Sequence, residues 1–199
     1  MRHPFHTLLA TLALAVLPAA LPALAQDTYR IDPSHSEISF KIRHLLAKTS
    51  GRFTKFGGTI KVDPADIGKS SVEVSIEAAS INTDNEGRDK HLKGADFFEV
   101  EKFPAITFKS TSVKEVAKGR LEVTGDFTLH GVTRKITFPI THAGSQPGMQ
   151  PGTVVAGFID GALTLNRNDY GIKYGPGVLG EDVAISLNIE AGKAETVKK

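Results

Sequence analysis

The sequence predicts an all-β protein whose chain closes into an eight-stranded antiparallel β-barrel. Its long segments alternate apolar and polar residues, which is the pattern of a strand with one buried and one wet face. Glycines recur in the middle of these segments, where a strand that bends around a barrel needs them. A sandwich of two sheets is the alternative, but the length of the strands and their internal glycines favour the barrel. Such a barrel has an interior that side chains fill or that holds one small ligand.

Residues 1–25 have the pattern of a cleaved secretory signal. Arg2 lies near the start, an apolar run covers residues 7–17, and Ala23-Leu24-Ala25 is an A-x-A cleavage site. Because Pro18 and Pro22 interrupt the apolar segment, it falls short of the ~20 residues that a membrane-spanning helix needs. We therefore expect cleavage after Ala25, export of the protein, and a periplasmic location.

The composition narrows the classes of function. The formal net charge is +2, and because charges of both signs are interspersed along the chain we expect no nucleic-acid partner. The sequence contains no cysteine, which excludes disulfides, thiolate metal sites and a cysteine nucleophile. After the signal, the length fits one domain with its own core, which we place at residues 26–190. Residues 191–199 are charged, and this composition predicts a frayed tail.

The alternating segments define the strands in order along the chain. The first carries Ile38, Phe40 and Ile42 on its apolar face, and the glycine-rich second strand is typical of a strongly bent strand. The ranges are 34–44, 49–62, 71–79, 105–116, 120–129, 132–140, 153–165 and 181–190.

The clearest hairpin lies within residues 120–140. Apolar side chains alternate with polar ones on both sides of a His130-Gly131 turn signal. Gly125 is in phase with the apolar residues, and this predicts a sharp bend or a close backbone approach inside the sheet.

One short helix or loop is predicted between the third and fourth strands. Thr83 and Glu86 have the spacing of a capping box, and a helix of at most two turns over residues 88–93 would end before Gly94. The following segment is rich in phenylalanine, so we expect the helix and this loop to form a lid or plug over one end of the barrel.

A set of short motifs extends along nearly the whole chain after the signal. They are 29–36 (YRIDPSHS), 38–40 (ISF) with His44, 51–53 (GRF), 88–92 (RDKHL) with 96–98 (DFF), 103–108 (FPAITF), 125–133 (GDFTLHGVT) and 166–171 (NRNDYG). With these motifs in this order, the sequence resembles the YceI-like, polyisoprenoid-binding proteins.

The resemblance implies a lipocalin-like barrel whose elongated apolar cavity holds an isoprenoid chain or a similar amphiphilic lipid. Such a tail gains roughly 0.8 kcal/mol for each buried CH₂ without any specific hydrogen bond. For each inward residue, plain core packing is an equal alternative to ligand contact. The residues expected to line the cavity are Ile38, Phe40, Ile42, Val74, Ile76, Ile106, Phe108, Phe127, Leu129, Phe138, Ile159, Leu163, Ile185 and Leu187.

Polar residues at the barrel mouth are the candidates for contact with a head group. Arg88 and His91 lie on the predicted helix, and arginine binds phosphate well. The favoured alternative is that Arg88 and Asp89 fasten the helix to the barrel. Asp169 and Tyr170 lie in a glycine-rich loop, where Tyr170 is a candidate to close over the ligand and Asp169 to satisfy backbone amides.

No spacing in the sequence is typical of catalysis or metal binding. His35 and Ser36 are adjacent on an extended chain, so their side chains point to opposite faces, and no G-x-S-x-G motif occurs. The histidines show no H-x-H or H-E-x-x-H spacing, although a barrel can bring distant residues together. They are His35, His44, His91, His130 and His142.

These observations predict an exported lipid carrier or sequestering protein that performs no chemistry. We expect no cofactor beyond a bound polyprenyl lipid or quinone-like ligand, and transient contact with a membrane. The resemblance also implies a homodimer. The alternatives are an enzyme acting on a lipid, which needs converging His, Asp and Ser side chains inside the cavity, and a structural barrel with a filled core.

Overall fold

The computed structural model describes residues 26–194 as a closed antiparallel barrel of eight strands. Each strand pairs with the next along the chain, and the last strand pairs with the first. This closure confirms the predicted barrel and excludes the two-sheet sandwich. The predicted signal at residues 1–25 and the end of the predicted tail at residues 195–199 lie outside the described residues.

The first three strands are interrupted, and the other five are continuous. The interrupted strands are β1 (Asp27–Ile31 and Glu37–His44), β2 (Ala47–Phe53 and Phe56–Val62) and β3 (Ser71–Glu77 and Ile81–Asn82). The continuous strands are β4 (Ala105–Ala117), β5 (Arg120–Leu129), β6 (Val132–Pro147), β7 (Val154–Asn166) and β8 (Leu179–Lys193). Short 3-10 turns cover Ile67–Lys69, Ala78–Ser80 and Arg167–Tyr170.

The barrel closes where β8 runs beside both parts of β1. Leu187 pairs with Ile38 in the second part, and Lys193 pairs with Tyr29 in the first. The Lys193 ammonium also lies 2.6 Å from the Asp27 carboxylate. Residues 191–193, which the sequence placed in a frayed tail, therefore belong to the sheet, and the Ala191 side chain is fully buried. The first part of β1 was not predicted as a strand.

Helix α1 (Glu86–Leu92) lies between β3 and β4, as predicted, but its cap is different. The Asn85 side chain accepts the Arg88 backbone N–H at 2.9 Å, so Asn85 and not Thr83 is the N-cap. The Thr83 hydroxyl is instead buried and bonds to the Asp89 carboxylate. In the part of the chain that is described, no helix combines the length and apolar character needed to cross a membrane.

The two ends of the barrel differ. The loop end carries the β1–β2 turn at Leu45 and Leu46, α1 with residues 93–104, and the segment 167–178 between β7 and β8. The opposite, closed end carries the 3-10 turn at Ile67–Lys69, which lies against β4. Because Ile67 packs on the hydrophobic core there, it covers this end of the barrel.

Candidate functional site

The barrel encloses a long apolar cavity with a volume of about 960 Å³. This is at the upper end of the range of roughly 300–1,000 Å³ found for small-molecule pockets. Alternation along each strand places every second side chain inside, so all eight strands contribute to the lining. One lining residue from each strand in order is Ile38, Ile60, Val74, Ile106, Val123, Phe138, Leu163 and Leu187.

Most of the residues predicted from the sequence line this cavity. Their contact with a ligand stays a prediction, but the structure brings them together around one space. They are Ile38, Phe40, Ile42, Val74, Ile76, Arg88, His91, Ile106, Phe108, Phe127, Leu129, Phe138, Leu163, Ile185 and Leu187.

The prediction that Ile159 faces inward is wrong. Its side chain is 38% exposed, and the preceding Phe158 is buried and lines the cavity instead. The pairing of β7 with β8 shifts between Phe158 and Gly161, and Asp160 has a φ of 58°. This bulge adds a residue to β7 and reverses which side chains face inward, an irregularity that simple alternation does not reveal.

Asp169 and Tyr170, which the sequence placed beside the ligand, do not line the cavity either. The Asp169 carboxylate is half exposed and lies 3.7 Å from the Arg134 guanidinium. The Tyr170 side chain is fully buried, with its ring edge-on to that of Phe127 at 5.7 Å between centroids. Burial raises the pKa of the Tyr170 hydroxyl. Tyr170 therefore supports the cavity wall at Phe127 from behind.

The cavity opens at the loop end. Several residues that line it there are also exposed to solvent: His44, Tyr174, Pro176 and Val178. An aromatic cluster of His91, Phe97 and Tyr174 joins α1 and its loop to the segment between β7 and β8. The His91 ring lies 5.0 Å from each of the other two rings, measured between centroids. The predicted lid thus borders this opening, and His91 is part of it.

Arg88 fastens α1 to the barrel and also lines the cavity. Its Nε donates to the Thr83 hydroxyl and its Nη2 to the Thr83 carbonyl, both at 2.7 Å. The Asp89 carboxylate accepts the Thr83 backbone N–H at 2.9 Å. These bonds fasten α1 to the end of β3, as the structural alternative predicted. Arg88 also lines the cavity, so its charge lies beside the ligand space.

Arg167 is a cavity residue that the sequence reasoning missed. Its side chain is only 5% exposed, with Nε donating to the Gly180 carbonyl at 2.8 Å and Nη1 to the Ile172 carbonyl at 2.9 Å. Within residues 26–194 no salt bridge includes Arg167. Burial lowers the pKa of its guanidinium, and the charge of Glu181 partly opposes this shift. Only its place in the NRNDYG motif marked it in the sequence.

The charged lining of the cavity is entirely cationic. Arg88 and Arg167 line it at the loop end, and among the residues described no aspartate or glutamate lines it. Lys61 also borders the cavity, at the closed end, but its exposed side chain lies on the outer face of β2, between the inward Ile60 and Val62. At the closed end, His142 stacks on Phe158 with 5.0 Å between ring centroids. Burial lowers the pKa of His142, which favours the neutral imidazole. An apolar cavity with cationic groups and no carboxylates is suited to an apolar chain that carries oxygen atoms or negative charge.

A second polar cluster lies outside the cavity, where β1 is interrupted. His35 Nδ1 is 2.9 Å from the Asp32 carboxylate and 3.9 Å from that of Glu190, and all three side chains are accessible to solvent. The hydrogen bond between His35 and Asp32 lowers the pKa of the Asp32 carboxyl and raises the pKa of the His35 imidazole. The Ser36 hydroxyl instead bonds to the Glu190 backbone. His35 and Ser36 therefore do not converge as a base and a nucleophile.

The chain matches a known protein family and several relatives. The family model described as "YceI-like domain" matches residues 29–191. A UPF0312 protein of Vibrio cholerae is 41% identical over 171 residues, which cover 84% of this chain and 88% of the relative. A UPF0312 protein of Pseudomonas putida is 39% identical over 189 residues, which cover 92% of this chain and 96% of the relative.

Solved structures have the same fold. BcnA of Burkholderia cenocepacia superposes with a TM-score of 0.72 at 26% identity, covering 80% of this chain and 98% of its own. A polyisoprenoid-binding domain from Saccharophagus degradans, implicated in plant cell wall breakdown, superposes with a TM-score of 0.63 at 16% identity, covering 83% of this chain and 98% of its own. The family match, the relatives and the closed barrel agree that this chain belongs to the YceI-like family.

Proposed function

We propose that this protein is an exported carrier that holds a long-chain amphiphilic lipid, of the polyisoprenoid class, in its barrel. The observation that carries the proposal is the apolar cavity of about 960 Å³, to which all eight strands contribute. The structural neighbour that is described as polyisoprenoid-binding supports the class of ligand. The signal pattern at residues 1–25 supports export to the periplasm, where the protein would transport, store or sequester the lipid.

The distribution of charge supports one orientation of the ligand. Arg88, His91 and Arg167 lie at the loop end, where the cavity opens, whereas Ile67 covers the other end. A lipid tail directed towards the closed end is buried among apolar side chains, each CH₂ contributing roughly 0.8 kcal/mol. The polar head then lies near the guanidinium groups, which bind phosphate and other oxygen-rich groups. A quinone-like head would meet the same donors.

Binding without chemistry fits the lining better than a lipid-modifying enzyme. General acid–base catalysis needs a titratable group beside the reacting bond, and a nucleophile needs an adjacent base and an orienting group. In the described residues, the serines that line the cavity are Ser39, Ser70 and Ser71, and no carboxylate lines it to orient a histidine. A filled structural barrel is disfavoured by the size of the cavity. The homodimer stays a prediction.

The decisive test is mass spectrometry of an organic extract of the purified protein, together with native mass spectrometry of the intact complex. We expect one prenyl-type species at near-equal stoichiometry, and its mass identifies the head group. A protein that emerges empty, and that also takes up neither prenyl lipids nor fatty amides, contradicts the carrier function. N-terminal sequencing of a periplasmic preparation tests cleavage after Ala25 in the same material.

Replacing Arg167 by Met tests the placement of the head group. We expect the variant to lose about tenfold in its preference for an anionic-headed ligand over a neutral one with the same tail, because a charge-assisted hydrogen bond contributes roughly 1.5–3 kcal/mol. The ratio of the two Kd values, measured by fluorescence displacement, cancels any general loss from weaker packing of the segment 171–180. Arg134→Met, outside the cavity, is the matched control. An unchanged ratio in R167M excludes contact between Arg167 and the head.

A further inference from the structure

The turn between β1 and β2 exposes two leucines at the loop end of the barrel. Leu46 is 104% exposed relative to a free side chain and Leu45 is 54% exposed. Leu45 also has a φ of 51°, in the left-handed region. Tight hairpin turns normally place Asn, Asp or Gly there, because a left-handed backbone is unfavourable for bulky residues. This turn therefore combines an unfavourable backbone with the exposure of apolar surface, and neither feature stabilises the barrel.

The exposed leucines are continuous with the opening of the cavity. The Leu45 backbone N–H donates to the Val178 carbonyl at 2.8 Å, which joins the turn to the segment between β7 and β8. Val178 and Tyr174 are also exposed, and both line the cavity. We call the surface formed by Leu45, Leu46, Tyr174 and Val178 the portal patch. A ligand that enters or leaves at the loop end must pass beside it.

The two chain segments that carry the portal patch are basic. Lys41, Arg43 and Lys48 lie on the β1–β2 hairpin, and Lys173 lies in the facing segment. Residues 41–48 and 171–179 contain no Asp or Glu. Within the described residues, none of these four basic side chains forms a salt bridge, whereas the neighbouring Arg52 pairs with Asp84 at 3.2 Å. The two segments thus combine exposed apolar side chains with an excess of positive charge. Carboxylates lie beyond their ends: Glu181 and Asp182 follow Gly180, which lies against Arg43, and Asp96 is 2.9 Å from His91.

We propose that the portal patch docks on the surface of an anionic lipid bilayer. Leu45 and Leu46 enter the interface between head groups and acyl chains, and the basic side chains of the two segments contact lipid phosphates. This proposal rests on the proposed carrier function and adds its partner. Docking in this orientation places the opening of the cavity against the bilayer, so the lipid passes between bilayer and barrel without exposing its tail to water.

Flotation with lipid vesicles tests the docking directly. The matched pair of variants is L45S/L46S at the portal patch and V116S/M149S, which removes exposed apolar side chains at the closed end. With phosphatidylglycerol-containing vesicles, we expect L45S/L46S to lose about tenfold or more in its partition coefficient and V116S/M149S to behave as wild type. The partition coefficient of the wild type for pure phosphatidylcholine vesicles should be at least about fivefold lower. Each basic residue near an anionic surface strengthens binding by roughly that factor, and a neutral surface lacks this attraction.

Two outcomes overturn the docking proposal. One is that L45S/L46S partitions as strongly as the wild type, in which case the leucines contact a protein partner or have no docking role. The other is equal wild-type partition into anionic and neutral vesicles, which excludes the charge complementarity.

A second assay separates this proposal from the carrier function. When a fluorescent short-chain prenyl phosphate is supplied as a soluble monomer, L45S/L46S should bind it with the wild-type Kd, since the cavity is intact. When the same head group is supplied on a long chain in donor vesicles, uptake by L45S/L46S should be about tenfold slower than uptake by the wild type. Failure of the wild type to bind the soluble monomer contradicts the carrier function, whereas uptake from vesicles at equal rates overturns only the docking.

Discussion

Replacing both Leu163 and Ile185 by Trp should abolish the binding of long-chain lipids while the barrel still folds. These residues face each other across β7 and β8 and both line the cavity. Neither is fully buried, so the added indoles extend into cavity space and not into packed core. Loss of room for only three CH₂ groups costs about 2.4 kcal/mol, or about 50-fold in Kd, at roughly 0.8 kcal/mol per CH₂. Titration with a fluorescent prenyl analogue measures the effect.

The neighbouring pair of residues supplies the control. Thr164 and Ala184 form the adjacent pair across the same two antiparallel strands, and both are exposed. T164W/A184W therefore adds the same two indoles to the outer face of the barrel, and its affinity for the lipid should remain within about twofold of the wild type. If the inward variant binds long-chain lipid as the wild type does, the ligand does not occupy this cavity. Circular dichroism of both variants verifies that the barrel is retained.

Gly58→Ala should strongly destabilise the barrel, whereas the adjacent Gly57→Ala should not. A methyl group at Gly58 would overlap the Glu73 carbonyl oxygen and lie 3.0 Å from the Val74 Cα, both of them backbone atoms on β3. Relief of this overlap requires β2 and β3 to separate, so we expect a loss of about 2–3 kcal/mol in the free energy of unfolding. This corresponds to a decrease of roughly 4–12 °C in Tm for a domain of this size.

Gly57 is the matched control because a Cβ atom there meets nothing within 4 Å. Alanine at this position should be neutral or stabilising by about 0.5 kcal/mol, since it reduces the entropy of the unfolded chain. Chemical denaturation monitored by circular dichroism gives both free energies. Equal stability of the two variants would show that the close approach of β2 and β3 at Gly58 is not a constraint on the barrel.

Much of the fold follows from the sequence because its strands are one-sided. Period-two alternation requires a sheet with one apolar face, and only closure or a covering layer buries that face. Gly125 was predicted to permit a close approach, and a Cβ atom there would lie 2.6 Å from the Phe108 ring. Most of the cavity lining followed from the same alternation, since the inward side chains of a wide barrel line its interior.

The remaining features depend on local irregularities that a regular pattern cannot show. The bulge at Asp160 reverses the inward face of β7, and this misplaced Ile159. Arg167 was overlooked because arginines are mostly exposed. It turns inward only because the 3-10 turn at Arg167–Tyr170 brings it beside the Gly180 and Ile172 carbonyls. The first part of β1 was missed because the chain is interrupted between Ile31 and Glu37 before the alternation becomes regular.

The pairing of the first strand with the last also bears on how the protein folds. Tyr29 and Lys193, near opposite ends of the chain, are neighbours in the sheet. The contacts that close the barrel are therefore among the most distant in sequence. Such contacts slow folding, because the long chain segment between them must lose conformational entropy before they form. Until the C-terminal strand has emerged from a ribosome or a translocation pore, β1 and β7 present unpaired edges open to aggregation. A chain of this topology therefore completes its sheet only after its last strand has become available.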